Sequence, residues 1–463
     1  MLKSITSPIV RQYAVVLIAN TCVVTTGMSF AWSSPMLVKL ANSTQTILPR
    51  VITVEEGSWI VSIEFLVPVI FNYLTAMLLD SMGRKFCIIL GCVPKTMGVL
   101  LYIFATDVWM LILGRVLFGI ADSSTLIGIS IYASEIATKN TRGASGSLVQ
   151  IFCGLGIVMT FSAGPFLSYN TFNILFAVII VATNLPLFFL PESPYFLYNK
   201  GREDDAIKVL EYLHGSEILA KQEIKNYTVS KKGEMLNKLA ILKDPVVRKI
   251  LPISMLFSIG TQLIGFNAVL YYLQTILIST NTTIMPEIAS VIIGVIQLAS
   301  SFLTPFTVDR YGRKIILLIT LVEMFIGMIG LGIFFMLKST DGEPLPGFLN
   351  YVPLVSLILI VNSYNAGIGS LVWIVIAELF DGPARAFGVT INITLVSFMI
   401  FLTSKFFPLI STKFGPAIPY WIFSGSCVLM CLFVLLCLPE TKGRSFIEIQ
   451  REFSKKKKED EEC

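Results

Sequence analysis

Twelve long apolar stretches, separated by polar loops, set the pattern of this chain. They fall near residues 12–37, 58–79, 86–106, 108–131, 146–168, 173–190, 250–278, 288–308, 315–337, 351–376, 387–410 and 418–438. A helix that crosses a bilayer needs roughly 20 apolar residues. The pattern therefore predicts an all-α membrane protein with twelve transmembrane helices. The first stretch is long, follows only Lys3 and Arg11 and has no convincing small-residue cleavage site, so it reads as a span and not as a cleaved signal. From Pro191 to Lys249 the apolar runs stop and charges crowd in. Ala206, Val209, Leu210 and Leu213 there have helical spacing, which predicts short amphipathic helices beneath the membrane domain. The expected organisation is a six-helix half (1–190), a cytoplasmic helical linker (191–249), a second six-helix half (250–438) and a cytoplasmic tail (439–463).

Composition sharpens this picture. Charged residues make up 14% of the chain and mean hydropathy is +0.77, whereas a soluble domain carries about 25% charged residues. With both termini inside, 28 of the 35 Lys and Arg residues fall in cytoplasmic segments, and Lys39, Arg50, Lys338, Lys405 and Lys413 fall outside. That asymmetry fixes the orientation. The net charge of +5 then reflects topology and anionic inner-leaflet lipid, with no need of nucleic acid. Asn42 and Asn281 head glycosylation sequons in expected outer loops. The eight cysteines are scattered without disulfide or metal spacing, no metal or cofactor is implied, and no nucleotide-binding loop or catalytic triad stands out. An enzyme is not expected.

The chain also repeats itself. "DSMGRK" at Asp80 returns as "DRYGRK" at Asp309, Glu135 and Arg142 return as Glu378 and Arg385, and "PES" at Pro191 returns as "PET" at Pro439. Three motifs in one order at nearly one offset indicate a parallel duplication of six-helix halves. The repeated charges, with Arg84 and Arg313 after the two glycines, sit at helix ends on the cytoplasmic side. They are expected to pair across the halves as a gate, each exposed pair contributing ~0–1 kcal/mol; the plainer alternative is that they only fix topology.

Inside the spans, Gln150, Gln262, Asn267, Gln297, Asn365 and Asn392 are neutral amides. Amides both donate and accept, which suits an uncharged polyhydroxyl solute and not an ion. Trp373, Tyr271 and Tyr272 offer flat apolar area for a sugar ring. The alternative is helix-to-helix glue, an equal reading for Asn392 and Gln150.

At these motifs the chain resembles the major facilitator superfamily and, within it, the sugar porter family. "GRVLFGIADSS", "PESPYFL", "QLIGFNAVLYY", "VWIVIAELF" and "PETKGRSF" follow the family's order from about residue 15 to 450. "TTGMSFAWSSPML" and "TVEEGSWIVS" are similar to its facilitated trehalose transporter-like subgroup. The resemblance implies a central sugar site, alternating access by rocking of the two halves and a plasma-membrane protein. A sugar and membrane lipid would be its partners, and it would act as a monomer. It implies sugar contacts at Gln150, Phe161, Gln262, Asn267, Gln297, Asn365 and Trp373, and an outer gate at Tyr271 and Tyr272. Departures include Thr261 before Gln262, Val396-Ser397 on the eleventh span, and "GSLVW" where relatives carry prolines. Without those prolines the tenth helix is expected to be more regular.

The first span holds no carboxylate to partner Arg115, and Glu64 and Glu323 are expected to snorkel or meet dipoles. Facilitated diffusion of trehalose or a hexose is therefore the leading expectation, with a proton symporter and a non-transporting sugar sensor as alternatives.

Overall fold

The computed structural model describes residues 7–136, 142–233, 245–302, 310–338, 347–380 and 382–442. The chain divides into two compact units, Met1–Met235 and Leu236–Cys463. Among the described residues ten helices are long and apolar enough to cross a membrane, and Leu148–Ala163 and Pro286–Ser301 add two shorter apolar helices. Among the described residues there is no strand.

In the first unit, α1 (Pro8–Asn20) and α2 (Val23–Ala41) together form the first span. They are followed by α3 (Val54–Met82), α4 (Arg84–Leu90), α5 (Cys92–Ile103), α6 (Val108–Ile136), α7 (Arg142–Ala163) and α8 (Tyr169–Asn184). Helix α3 starts with a capping box in which Thr53 and Glu56 satisfy each other's backbone N–H groups. Helix α2 packs chiefly on α7, and α3 on α6.

The charged segment forms α9 (Pro194–Asn199), α10 (Glu203–His214) and α11 (Glu217–Gly233). Ala206, Leu210, Ala220 and Ile224 close a small apolar core with Leu197. Leu213, one turn on, joins instead the larger core of Val15, Val16, Ala19, Ile129 and Tyr132. Arg11 and Gln12 of α1 donate to the last carbonyls of α10, at Tyr212 and Leu213, both at 3.1 Å. These helices thus belong to the first unit, and residues 234–244 lie outside the described residues. Burial lowers the affinity of His214 for a proton, against a smaller opposing effect of Glu223.

The second unit contains α12 (Pro245–Leu263), α13 (Phe266–Tyr271), α14 (Leu273–Thr280), α15 (Pro286–Ser301) and α16 (Arg313–Leu337). Then come α17 (Val352–Ser363), a π-helical segment (Tyr364–Ile368), α18 (Gly369–Leu379), α19 (Gly382–Phe414) and α20 (Ile418–Leu436). Two irregularities were not read from the sequence. The seventh span is broken at Gly265, whose φ of 85° and ψ of 4° end α12 and start α13. The tenth span is irregular despite its missing prolines: Gly369 to Trp373 is α-helical, but the turn before it is widened into a π-helix. Lys405 lies within α19 at 7% exposure and not in an outer loop, its long stem compatible with burial among the helices.

Candidate functional site

Neutral amides and phenols gather around the Gly265 break in the second unit. Gln262 is the second-last residue of α12, and Asn267 is the second of α13. Asn267 Nδ2 donates to Gln262 Oε1 at 2.7 Å, and the Tyr271 hydroxyl donates to Asn267 Oδ1 at 3.4 Å. Gln262 and Asn267 are both buried. Each amide keeps hydrogen-bonding capacity beyond these contacts. Tyr364, which the sequence reading passed over, stacks its ring on that of Phe266, the residue before Asn267, at 3.7 Å between centroids.

The other expected site residues lie as follows. Tyr272 is buried, its hydroxyl donating to the Ser404 carbonyl at 3.1 Å and its ring near Phe407. Gln297 of α15 is 3% exposed, and its Oε1 has no hydrogen-bond partner among the described residues. Asn365, on the π segment, donates to the Val361 carbonyl at 2.8 Å. Trp373 on α18 is 41% exposed. Asn392 is satisfied by Ser258, Ser254 and the Gly388 carbonyl, which makes it an α12–α19 tie. Gln150 and Phe161 belong to the first unit, the amide half-buried and the ring wholly buried. The sequon residues Asn42 and Asn281 are both exposed, Asn42 accepting from the backbone and hydroxyl of Thr44 and Asn281 ending α14 in the left-handed region.

Those of the repeated charges that are described pair inside their own unit. In the first, Arg84 contacts Glu135 at 3.1 Å and Asp80 at 3.2 Å. In the second, Arg313 contacts Glu378 at 2.9 Å. Partners on adjoining helix ends of one bundle are within reach without any rigid-body motion. Asp309 lies outside the described residues, as do the side chains of Arg142 and Arg385.

The glutamates of "PES" and "PET", which the sequence reading left without a role, complete each copy. Glu192 Oε1 accepts from the backbone N–H groups of Arg84 and Lys85, both at 3.0 Å. Glu440 accepts in the same way from Arg313 and Lys314 at 3.0 and 3.1 Å. A carboxylate at a helix N-terminus satisfies orphan donors and opposes the positive end of the dipole. Both helices begin after a left-sided glycine, Gly83 at φ 104° and Gly312 at φ 92°, and a Cβ at either would come within 3.0 Å of the capping carboxylate. Ser193 and Thr441, the next residues, donate to Glu135 and Glu378, so each motif joins two helix ends at once.

Burial raises the Glu440 carboxyl, but N–H donors from Lys442, Arg313, Lys314 and Thr441 together hold it below its ordinary range. A depressed folded-state value stabilises fully above the unfolded carboxylate value, about 4.3, and that stabilisation is lost as pH falls from there through the lower folded-state value. Glu440→Gln is expected to remove about 1 kcal/mol at neutral pH. Its melting temperature in detergent should approach that of the parent only as pH falls below about 4, through the depressed folded-state value; an unchanged difference across that lower range would remove the charge from the explanation.

Two ion pairs with both partners buried lie within the first unit among the described residues. Arg115, at 0% exposure, contacts Glu64 at 2.5 Å and donates to the carbonyls of Ile60 and Ser29. Ser29 donates to the other oxygen of Glu64 at 2.5 Å. Lys95 contacts Asp122 at 2.9 Å and donates to Thr25 and Thr26. Glu64 is therefore not a snorkelling residue: at 1% exposure it is the partner of Arg115, supplied by the second span and not the first. Glu323 is half-buried and accepts from Asn362 at 2.7 Å.

Comparison with known proteins places this geometry. The family model described as sugar (and other) transporter matches residues 15–453. The facilitated trehalose transporter Tret1 of Culex quinquefasciatus is 29% identical over 430 residues, 92% of this chain and 82% of that one. The human solute carrier family 2, facilitated glucose transporter member 6, is 30% identical over 453 residues, 92% of this chain and 88% of that one. Among solved structures, the inward open conformation of the xylose transporter XylE from E. coli superposes with a TM-score of 0.78 at 21% identity, covering 95% of this chain and 99% of that one. Its partially occluded inward open conformation gives 0.77, also at 21%, over 94% and 99%. At that identity the likeness is one of fold, the major facilitator fold. Matched over nearly its whole length, this multi-pass membrane protein belongs to the sugar (and other) transporter family.

Proposed function

We propose that the protein is a facilitator that moves a neutral sugar, trehalose or a hexose, down its gradient across the plasma membrane by alternating access. Both termini and the capped "GRK" helices face the cytoplasm in this reading, in keeping with the bias of Lys and Arg. The observation that carries it is the Gln262–Asn267–Tyr271 cluster, buried, hydrogen-bonding and free of ionisable carboxylates and amines. A sugar leaving water needs each hydroxyl re-paired, since an unpaired buried hydroxyl costs roughly 1–3 kcal/mol. Amides that donate and accept meet that need without holding an ion. The names of the trehalose and glucose transporter relatives support the same substrate class.

Saturable uptake of radiolabelled trehalose or glucose into proteoliposomes is expected to survive collapse of the proton gradient by a protonophore. Loss of uptake under that treatment would favour the symporter, for which the buried Glu64–Arg115 pair is the motivating feature. Gln262→Ala and Asn267→Ala should each lower uptake at limiting sugar about tenfold, the value of one hydrogen bond of roughly 1.4 kcal/mol, with normal yields of folded protein. Wild-type uptake by both would reduce the amides to packing groups.

A further inference from the structure

Glu323 stands deep within α16, between its ends at Arg313 and Leu337. At 1.5 Å of rise per residue, about 15 Å and about 21 Å of helix separate it from those ends, and a glutamate stem is too short to carry its charge to either. The side chain is half-buried. Ile319 and Ile326, one turn to either side, and Val322 beside it are all exposed. Glu323 thus stands at the edge of the face of α16 that the bundle leaves open, and in a multi-pass membrane protein such an apolar stripe meets lipid.

Its carboxylate is held from behind. Gly327, one turn on, brings α16 so close to α17 that a Cβ there would lie 2.8 Å from the Ser356 carbonyl oxygen. That approach puts Asn362 within reach. Its Nδ2 donates to Glu323 Oε1 at 2.7 Å, and its Oδ1 accepts from the Ser300 hydroxyl of α15 at 2.8 Å. Three helices therefore supply one chain of hydrogen bonds in which every donor points toward the carboxylate, as partners that orient a binding group do. Oε2 is left open, and among the described residues no cation pairs with Glu323.

We propose that Glu323 is the centre of a binding site for a lipophilic cation, whose charged group meets Oε2 and whose apolar body lies along Ile319, Val322 and Ile326. A carboxylate at membrane depth is costly, and one amide donor does not replace an opposite charge. An ordinary acyl chain would cover the isoleucines and leave the charge unmatched. A second copy of this chain brings no cation to that depth: among the described residues Lys95, Arg115 and Lys405, the basic residues away from the ends of the spans, are buried.

The test titrates phosphatidylcholine nanodiscs holding the parent chain with radiolabelled dodecyltrimethylammonium, and subtracts the uptake of empty discs. One saturable site per chain is expected, from which dodecanol, with the same tail and no charge, displaces the probe at least about tenfold less well than the unlabelled cation. Glu323→Gln keeps the shape and should bind the probe at least about tenfold more weakly. Ser300→Ala leaves the carboxylate but lets Asn362 turn, and should weaken binding about threefold. The comparison of dodecanol with the cation needs only the parent chain, so it stands even where a variant folds poorly. Equal binding by the parent and Glu323→Gln, or displacement by dodecanol as strong as by the cation, overturns the site. Parent-like affinity in Ser300→Ala overturns the part given to the hydrogen-bond chain.

Discussion

Replacement of Arg115 by leucine is expected to cost most of the folded protein. The guanidinium has no exposure, meets the Glu64 carboxylate at 2.5 Å, and donates to two carbonyls on neighbouring spans, at Ile60 of α3 and Ser29 of α2. It also lies 5.3 Å from the centroid of the Trp32 ring, whose N–H is held by Asn173 at 2.8 Å. Leucine fills much of that volume but leaves the glutamate buried with Ser29 as its near hydroxyl partner. Breaking one side of a buried ion pair costs about 3–5 kcal/mol, because the remaining charge is uncompensated. Folded proteins have only about 5–15 kcal/mol in hand. The measurement is the melting temperature and monodisperse yield of purified protein in detergent. Adding Glu64→Gln to Arg115→Leu should restore part of the loss, since the stranded charge is then gone. A single variant that melts with the parent would show that the pair adds nothing.

That pair marks where the sequence stopped being legible. Hydropathy located twelve apolar spans because the bilayer forces every backbone group to be satisfied inside its own helix, so composition along the chain is a direct record of the fold. Through-space partners leave no such record. Arg115 and Glu64 are far apart in sequence on different spans, and nothing in their spacing says that α3 and α6 bring them together. The same holds for Lys95 with Asp122, and for Glu192, whose backbone partners are 107 and 108 residues away. The duplication made "PES" and "PET" visible as a repeat, yet only coordinates show the glutamate capping a helix. Gln262 and Asn267 stood out as candidates because an amide in an apolar run is anomalous wherever it sits. Tyr364 did not, because a tyrosine in such a run has an ordinary packing explanation.

The Gly265 break explains why those two amides meet at all, and its removal is expected to be the most damaging change for transport. Gln262 and Asn267 are five residues apart. In an unbroken helix that spacing turns side chains about 140° from each other, so their 2.7 Å hydrogen bond exists only because the chain re-aims at Gly265. Any side chain there faces two obstacles. A φ of 85° costs a residue other than glycine about 1–2 kcal/mol. A Cβ would also lie 2.2–2.5 Å from three atoms of the Phe423 ring, which is 7% exposed and stacks on Phe407, itself against Tyr272. The chain can relieve both by closing the break into regular helix, which parts Asn267 from Gln262 and Phe266 from Tyr364 together. Gly265→Ala should therefore lower proteoliposome uptake at least about tenfold, more than loss of either amide alone. A second change, Phe423→Ala, opens room for the methyl group and is expected to return part of the activity, leaving only the backbone cost. Uptake by Gly265→Ala at the parent rate, with the parent KM, would show that the bend does not hold the site.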